Sequence, residues 1–364
     1  MSTSTELVIT VTNDGVSDRR MRRLADLLRV HGWSVTIVGR IFSSDSRTSE
    51  QGIVQIPCDR RKGPAAYWEY HQKLLTYLRR QKPDIICAVD YDTLTAGVLA
   101  ARTCGAKLIF DSHEFFEEVP ELTGRLLKKW VWRKVAQRGI PKTDLRWTVS
   151  HEIADALKDR YGMPFEVIRN MPSKYEIDPQ PREQALVYLG VLNEGRGLPQ
   201  LIKAMHQVDA TLWLIGEGDL SQSLRTLVAD QGLSGKIEFL GWLPEASHRE
   251  WLARARVGLN LLDTSSMSYR YSLANKFFDY VHAGLPQLTM NLSTYRSLND
   301  QYEVAKLLDH LEPTAIAHGI AEILNSETWQ HLHEQTLTAR EYWNWEQEAK
   351  KVLVSLEKIN SHFG

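Results

Sequence analysis

Residues 185–205, ALVYLGVLNEGRGLPQLIKAM, run from an apolar stretch through three glycines into a helical pattern. ALVYLG has no polar alternation and reads as a strand buried on both faces. Gly190, Gly195 and Gly197 let the backbone turn tightly or approach a ligand closely, and Arg196 offers a permanently charged fork matched to phosphate oxygens. LPQLIKAMHQV then resumes at helical spacing. The loop is neither a Walker A nor a strict GxGxxG, so a phosphate site and a plain turn stand equal on spacing alone.

The same order recurs on both sides. Downstream, ATLWLIG, IEFLG, VGLNLL and LPQLTM are strands separated by helical stretches, and WLIGEGDL again places glycines, Gly216 and Gly218, around an acid, Glu217, at a strand end. Upstream, LVITVT, SVTIVGR, DIICAV, KLIFDS, LRWTVS and FEVIRN alternate with helices, beginning with SDRRMRRLADLLRVHG. MPSKYEIDPQPREQ, polar and rich in proline, separates the two series. The chain is therefore α/β, with two Rossmann-like, doubly wound parallel-sheet domains facing a central cleft: 1–172, a linker at 173–184, 185–335, and a helical end at 336–364.

At 364 residues, two cores are the natural division. A hydrophobic fraction of 43% without any run of about 20 apolar residues excludes an integral membrane protein. The amino terminus reads as a first strand rather than a signal peptide, which points to the cytoplasm. Cys58, Cys87 and Cys104 are odd in number and lack CxxC spacing, against disulfides and structural zinc. The net charge of −1 divides unevenly: residues 1–180 hold 28 Lys and Arg against 23 Asp and Glu, the remainder 16 against 22. The two halves are expected to meet different partners.

YSLANKFFDYVHAGLP (271–286) carries the second charged feature. Ser272 is placed to cap a helix, leaving the amides of Ala274, Asn275 and Lys276 turned towards an anion. Asp279, one turn from Lys276, is a good acceptor for two vicinal hydroxyls. On charge spacing alone, a surface salt bridge between Lys276 and Asp279 is the simpler reading.

Together and in this order, VYLGVLNEGRGLPQLIKAM, LWLIGEGDLSQSLRTLV with LSGKIEFLGWLP, and YSLANKFFDYVHAGLP resemble the carboxyl-terminal domain of retaining GT-B glycosyltransferases, particularly family four (glycosyl transferases group 1). TNDGVSDRRMRRLADLLRVHGWSVTIVG and LIFDSHEFFEE resemble that family's amino-terminal domain. EYWNWEQEAKKVLVSL resembles the final helices, which in this fold cross back to the first domain.

The resemblance implies a GT-B fold and transfer of a sugar from a UDP- or GDP-linked donor to a glycan or lipid-linked acceptor, with no metal or other cofactor. Arg196 and Lys276 stand at the donor diphosphate, Asp279 at the ribose, His113 at the donor sugar, and Gly241, Trp242 and Leu243 at the base. Gly190, Asn193, Glu217, Ser272, Ala274 and Asn275 complete the donor side. Tyr271 replaces the first acid of the family's Glu-x7-Glu motif, and Val191 the arginine after Gly190; Lys276 and Arg270 are the candidates to supply the missing positive charge. For retention, the leaving phosphate takes the acceptor's proton, so no triad or carboxylate pair is required.

Asp14, Gly15 and Arg19, with Arg20, Arg22 and Arg23, form a basic group on the acceptor side. VDYD (89–92) mimics a metal-binding Asp-x-Asp, but Asp92 is more simply a helix cap. Residues 122–143 hold seven basic residues, no acid, and Trp130 and Trp132. They suit either an interfacial helix on anionic lipid at the inner face of the plasma membrane, or a packed helix with a solvated basic side. No recognition module for nucleic acid accompanies the basic clusters. Two rivals share the features: a hydrolysing nucleotide-sugar epimerase, and a non-catalytic nucleotide-sugar-binding subunit.

Overall fold

The computed structural model describes residues 4–360 apart from 43–44, 46–49, 120–121, 123, 178–179 and 264–266. Some residues of the anticipated linker (178–179), of the basic stretch (123) and of the chain ends (1–3, 361–364) lie outside the described residues. The chain forms two compact units, 1–170 with 349–364, and 171–348.

The first unit contains β1 (Glu6–Thr10), α1 (Arg19–Val30), β2 (Ser34–Phe42), β3 (Ile53–Cys58), α2 (Pro64–Gln81), β4 (Ile85–Val89), α3 (Asp90–Cys104), β5 (Lys107–Ser112), α4 (Leu126–Gly139), β6 (Leu145–Thr148), α5 (His151–Tyr161) and β7 (Glu166–Val167). Among the described residues these strands make a seven-stranded parallel sheet in the order β3-β2-β1-β4-β5-β6-β7. Leu7, Val8 and Ile9 of β1 and Ile85, Ile86 and Cys87 of β4 are fully buried, as strands covered on both faces must be.

The second unit contains β8 (Ala185–Leu189), α6 (Leu198–Ala204), β9 (Thr211–Ile215), α7 (Ser221–Asp230), β10 (Ile237–Gly241), α8 (Glu245–Arg254), β11 (Val257–Asn260), α9 (Met267–Tyr271), α10 (Asn275–His282), β12 (Gln287–Met290), α11 (Ser293–Asn299), β13 (Ala305–Leu308), α12 (Pro313–Leu324) and α13 (Ser326–Tyr342). Its six strands run parallel in the order β10-β9-β8-β11-β12-β13. The last helix, α14 (Trp345–Asn360), begins in this unit and continues in the first. There Ser355 accepts the indole N–H of Trp147 at 2.8 Å and Lys358 pairs with Glu166 at 2.8 Å.

The division falls at 170/171 and 348/349. The polar stretch after Asn170 is bound to the second unit. Arg182 donates to the carbonyls of Leu252, Ala255 and Ala283 at 2.8–2.9 Å, Arg340 donates to the carbonyl of Tyr175, and Lys174 pairs with Glu341.

The order of each sheet reverses once, between β1 and β4 and between β8 and β11. At the second reversal the strands pair over only two positions, Val257 with Leu186 and Gly258 with Val187. Tyr280 of α10 fills the opening beyond. Its hydroxyl accepts from the Leu189 amide at 3.0 Å and donates to the carbonyls of Leu259 at 3.1 Å and Val187 at 3.3 Å. Gly258 leaves room for the ring, because a Cβ there would fall 2.6 Å from it. Tyr280→Phe leaves these buried backbone groups unsatisfied, and denaturant unfolding should show a loss of about 1–3 kcal/mol.

Candidate functional site

The carboxyl ends of β8 and β11 meet two cations. Lys276 is 7% exposed, and its ammonium lies 3.5 Å from the centroid of the Tyr188 ring. Gly190, at φ 135°, makes room for it: a Cβ there would lie 3.4 Å from the Lys276 nitrogen. Arg196 sits over the Tyr269 ring at 5.2 Å, and its buried Nε has no partner. Its neighbours Gly195 and Gly197 take φ 76° and 64°, a left-handed backbone that side chains resist. Neither cation makes an ion pair among the described residues. Burial pushes the Lys276 pKa well below the usual lysine range, and Arg196 pushes it further, while Asp279 partly offsets both.

The other glycines bring backbones together. A Cβ at Gly216 would fall 2.0 Å from the carbonyl oxygen of Gly190, and one at Gly218 would fall 2.3 Å from the side-chain oxygen of Asn193. Asn193 in turn accepts the Asp219 amide at 2.9 Å, and the Gly216 amide donates to Gly241 at 2.8 Å. The loops after β8, β9 and β10 are thus tied side by side. Glu217 is exposed and paired with Arg225 at 3.3 Å. Beyond Gly241, Trp242 is 74% exposed while Leu243 packs on the apolar cluster around Trp213 and Trp251.

In the first unit, His113 follows β5 within an ion network. Its Nε2 lies 3.3 Å from Asp111 and its Nδ1 3.9 Å from Asp90, whose carboxylate also accepts the His113 amide at 2.9 Å. Arg20 grips Asp111 with two hydrogen bonds, at 2.9 and 3.0 Å, and the Ile168 carbonyl at 2.7 Å. Burial lowers the His113 pKa, but Asp90 and Asp111 outweigh it and hold the ring up at about 9. Burial likewise raises Asp111, and Arg20 with His113 overrides it, keeping that carboxyl well below its usual range. Asp14 closes a turn, accepting from the Val16 and Ser17 amides at 3.0 and 2.9 Å, with Gly15 at φ 76° inside it. Arg19 opens α1.

Two family models match the chain, one in each half: Glycosyltransferase Family 4 over residues 17–171 and Glycosyl transferases group 1 over residues 183–326. The chain belongs to these glycosyltransferases. No curated protein sequence matches it. Solved structures agree in fold. Sucrose-phosphate synthase from Thermosynechococcus elongatus superposes with a TM-score of 0.79 at 14% identity, covering 98% of this chain and 100% of its own. HepE from Anabaena, in complex with UDP and glucose, gives 0.75 at 14% identity over 97% and 99%. A glycosyltransferase from Rickettsia africae gives 0.73 at 13% identity over 98% and 99%. The GT-B architecture is shared by all three.

Several expectations for this glycosyltransferase need correction. Ser272 does not cap α10. The short helix α9 ends at Tyr271, the Ser272 amide folds back to Tyr269 at 3.2 Å, and the cap position falls to Ala274, whose side chain offers no oxygen. The Ala274 amide, expected to face an anion, donates instead to the hydroxyl of Tyr295 at 3.0 Å. Asn275 is exposed and Asp279 half-buried, and the surface salt bridge does not describe Lys276, which is buried. Asp92 is not a cap either, since α3 begins two residues earlier, after Val89. The basic group around Arg19 is dispersed: Arg20 is buried on Asp111, Arg22 pairs with Glu50 at 2.7 Å, and Arg23 bonds Asn170. Tyr188 and Tyr269, whose rings lie against the two cations, carried no motif to mark them.

The His113 network has a pH signature in this glycosyltransferase. A histidine whose pKa is raised on folding contributes stability that is complete below its unfolded value, about 6.5, and is lost as pH rises through the folded value. Unfolding free energy should therefore fall by roughly 2–3 kcal/mol between pH 6 and pH 9.5 from this group. His113→Gln should flatten that limb, as measured by denaturant titration at both pH values.

Proposed function

We propose that the protein is a retaining, metal-independent glycosyltransferase that moves a sugar from a UDP- or GDP-linked donor to a glycan or lipid-linked acceptor in cell-surface polysaccharide or glycoconjugate assembly. The observation that carries the donor reading is the pair Arg196 and Lys276. A buried lysine and a guanidinium with an orphaned Nε lie close enough to repel one another, neither makes an ion pair among the described residues, and a diphosphate would supply the charge that Asp279 only partly provides. The uridine reading is supported by HepE, which carries UDP and glucose on the same fold.

In the transfer, the bond from the anomeric carbon to the phosphate oxygen breaks and its electron pair leaves with the diphosphate. The acceptor hydroxyl bonds to that carbon from the same face and gives its proton to the departing phosphate oxygen. Arg196 and Lys276 oppose the charge that grows there, a role for which one well-aimed donor is worth on the order of 3 kcal/mol. Asp279, one turn along, is the proposed ribose acceptor, and the Gly241–Leu243 loop the base site. Tyr271 takes the place of a sugar-contacting acid. His113 is proposed to face the donor sugar on the strength of the family resemblance alone. Metal independence follows from the family resemblance; in the Asp-x-Asp pair, Asp90 accepts the His113 amide at 2.9 Å.

Calorimetry with UDP tests the site. Arg196→Ala and Lys276→Met should each weaken binding at least tenfold, and unchanged affinity in both would sink the assignment. EDTA should leave turnover intact. Across a panel of nucleotide sugars, nucleotide release that depends on added acceptor supports transfer, whereas acceptor-free isomerisation or binding without turnover supports the epimerase or the non-catalytic subunit.

The acceptor side is proposed to work at an anionic membrane surface. No helix among the described residues is long and apolar enough to cross a membrane. Helix α4 instead exposes Leu126, Leu127, Trp130 and Val131 at 80%, 75%, 57% and 45% among basic residues, while Lys129 and Arg133 anchor it to Glu118 and Glu117. The protein should co-sediment with vesicles containing phosphatidylglycerol and less with pure phosphatidylcholine. The double change Leu127→Glu with Trp130→Glu should abolish the difference.

A further inference from the structure

Both cations of the second unit's site rest on tyrosine rings. Tyr188, near the end of β8, is buried, and the Lys276 ammonium sits 3.5 Å from the centroid of its ring. Tyr269, in α9, holds the Arg196 guanidinium over its ring at 5.2 Å. Each ring is in turn tied to the loop between β8 and α6. The Tyr188 hydroxyl donates to the Val191 carbonyl at 2.9 Å, and the Tyr269 hydroxyl to the Glu194 carbonyl at 3.3 Å. The loop's glycines leave room for both pairs. A Cβ at Gly195 would fall 2.3 Å from the Tyr269 ring, and one at Gly190 would fall 3.8 Å from the Tyr188 hydroxyl and 3.4 Å from the Lys276 nitrogen.

A carboxylate in place of either ring would hold its cation more tightly. It would also repel a diphosphate and compete with it for the cation's N–H groups. The face of an aromatic ring carries negative potential without net charge, so it steadies a cation and leaves an anion free to approach. The difference matters most at Lys276, where burial and the neighbouring Arg196 both disfavour the charged form and Asp279 opposes them only in part. There the ring covers one side of the ammonium and leaves its other N–H directions to a ligand.

We propose that Tyr188 and Tyr269 are positioning residues for the donor diphosphate: their faces hold Lys276 and Arg196 in place while leaving both cations to the ligand, and their hydroxyls fix the loop between them. The role rests on the donor reading; the ring contacts do not. The same two side chains join β8 and α9 to the glycine loop, so displacing either ring displaces a cation and the loop together.

The test uses the full chain and separates the shape of the ring from its charge distribution. In Tyr188→Phe the ring remains; a trifluorinated phenylalanine, placed at the same position by nonsense suppression, keeps that shape but empties the π face. Calorimetry with UDP should show the fluorinated protein binding about tenfold more weakly than Tyr188→Phe, and Tyr188→Leu more weakly still. A ring that merely packs would leave the phenylalanine and its fluorinated form equal, and equality would overturn the proposal. If variants at Tyr188 do not fold, the same series at Tyr269, which is only partly buried, decides it. NMR of isotope-labelled lysine reports the contact without UDP. The Lys276 ε-CH2 signal, assigned by its loss in Lys276→Met, should lie upfield of the other lysines through the Tyr188 ring current, remain there in Tyr188→Phe and return to the common position in Tyr188→Leu. An unshifted signal in the wild type would overturn the contact itself. A shifted signal in a wild type that binds no UDP would overturn the donor reading and leave the contact standing.

Discussion

One phenolic hydroxyl holds the second unit's site in register. Where a parallel sheet reverses its order, neighbouring strands diverge, and the diverging strands leave amides and carbonyls without partners. Tyr280 answers for both sides of the gap, accepting from β8 and donating to β11. Because it lies on α10, the helix is pinned to the sheet by hydrogen bonds to backbone, which admit little sliding, rather than by apolar contact, which admits more. Lys276 stands one turn earlier on that helix, so its ammonium is delivered to the strand ends with the precision of the backbone itself. Gly258 and Gly190, lacking side chains, keep the path of ring and ammonium open.

The two units treat buried charge in opposite ways. In the first, Arg20, Asp111, His113 and Asp90 neutralise one another, and Arg20 gives a further N–H to a carbonyl. This is the arrangement that lets a buried ion pair recover its desolvation cost. In the second, Lys276 and Arg196 make no ion pair among the described residues, and Asp279 offsets their charge only in part. The contrast separates charge that is balanced within the fold from charge that the proposed donor diphosphate would balance, although both lie at the ends of parallel strands.

The alternation of strands and helices, and with it both sheets, was legible from uninterrupted apolar runs such as ALVYLG and DIICAV. So was the loop between β8 and α6, where Gly190, Gly195 and Gly197 all take positive φ. What escaped was whatever depended on a partner far away in the chain. β3 lacked a mark of its own; IVQIPC becomes a strand by pairing with β2. Ser272 and Asp92 are good capping residues in isolation, yet α9 and the early start of α3 moved both helix ends. Four clustered arginines looked like a patch because sequence proximity says nothing of Asp111, 91 residues from Arg20. The prolines after Asn170 suggested a linker, and nothing in that stretch announces that Arg182 spends its hydrogen bonds on carbonyls 70 to 101 residues downstream.

Helix α14 makes the first unit discontinuous in sequence. Trp147, buried by the middle of the chain, waits for the hydroxyl of Ser355, 208 residues later, to receive its N–H. During synthesis the amino-terminal unit is thus the last to be finished, although most of it emerges first. The second unit is already complete in sequence when residues 349–364 are made, and these then close the first. Trimming back into α14 would therefore damage the beginning of the protein.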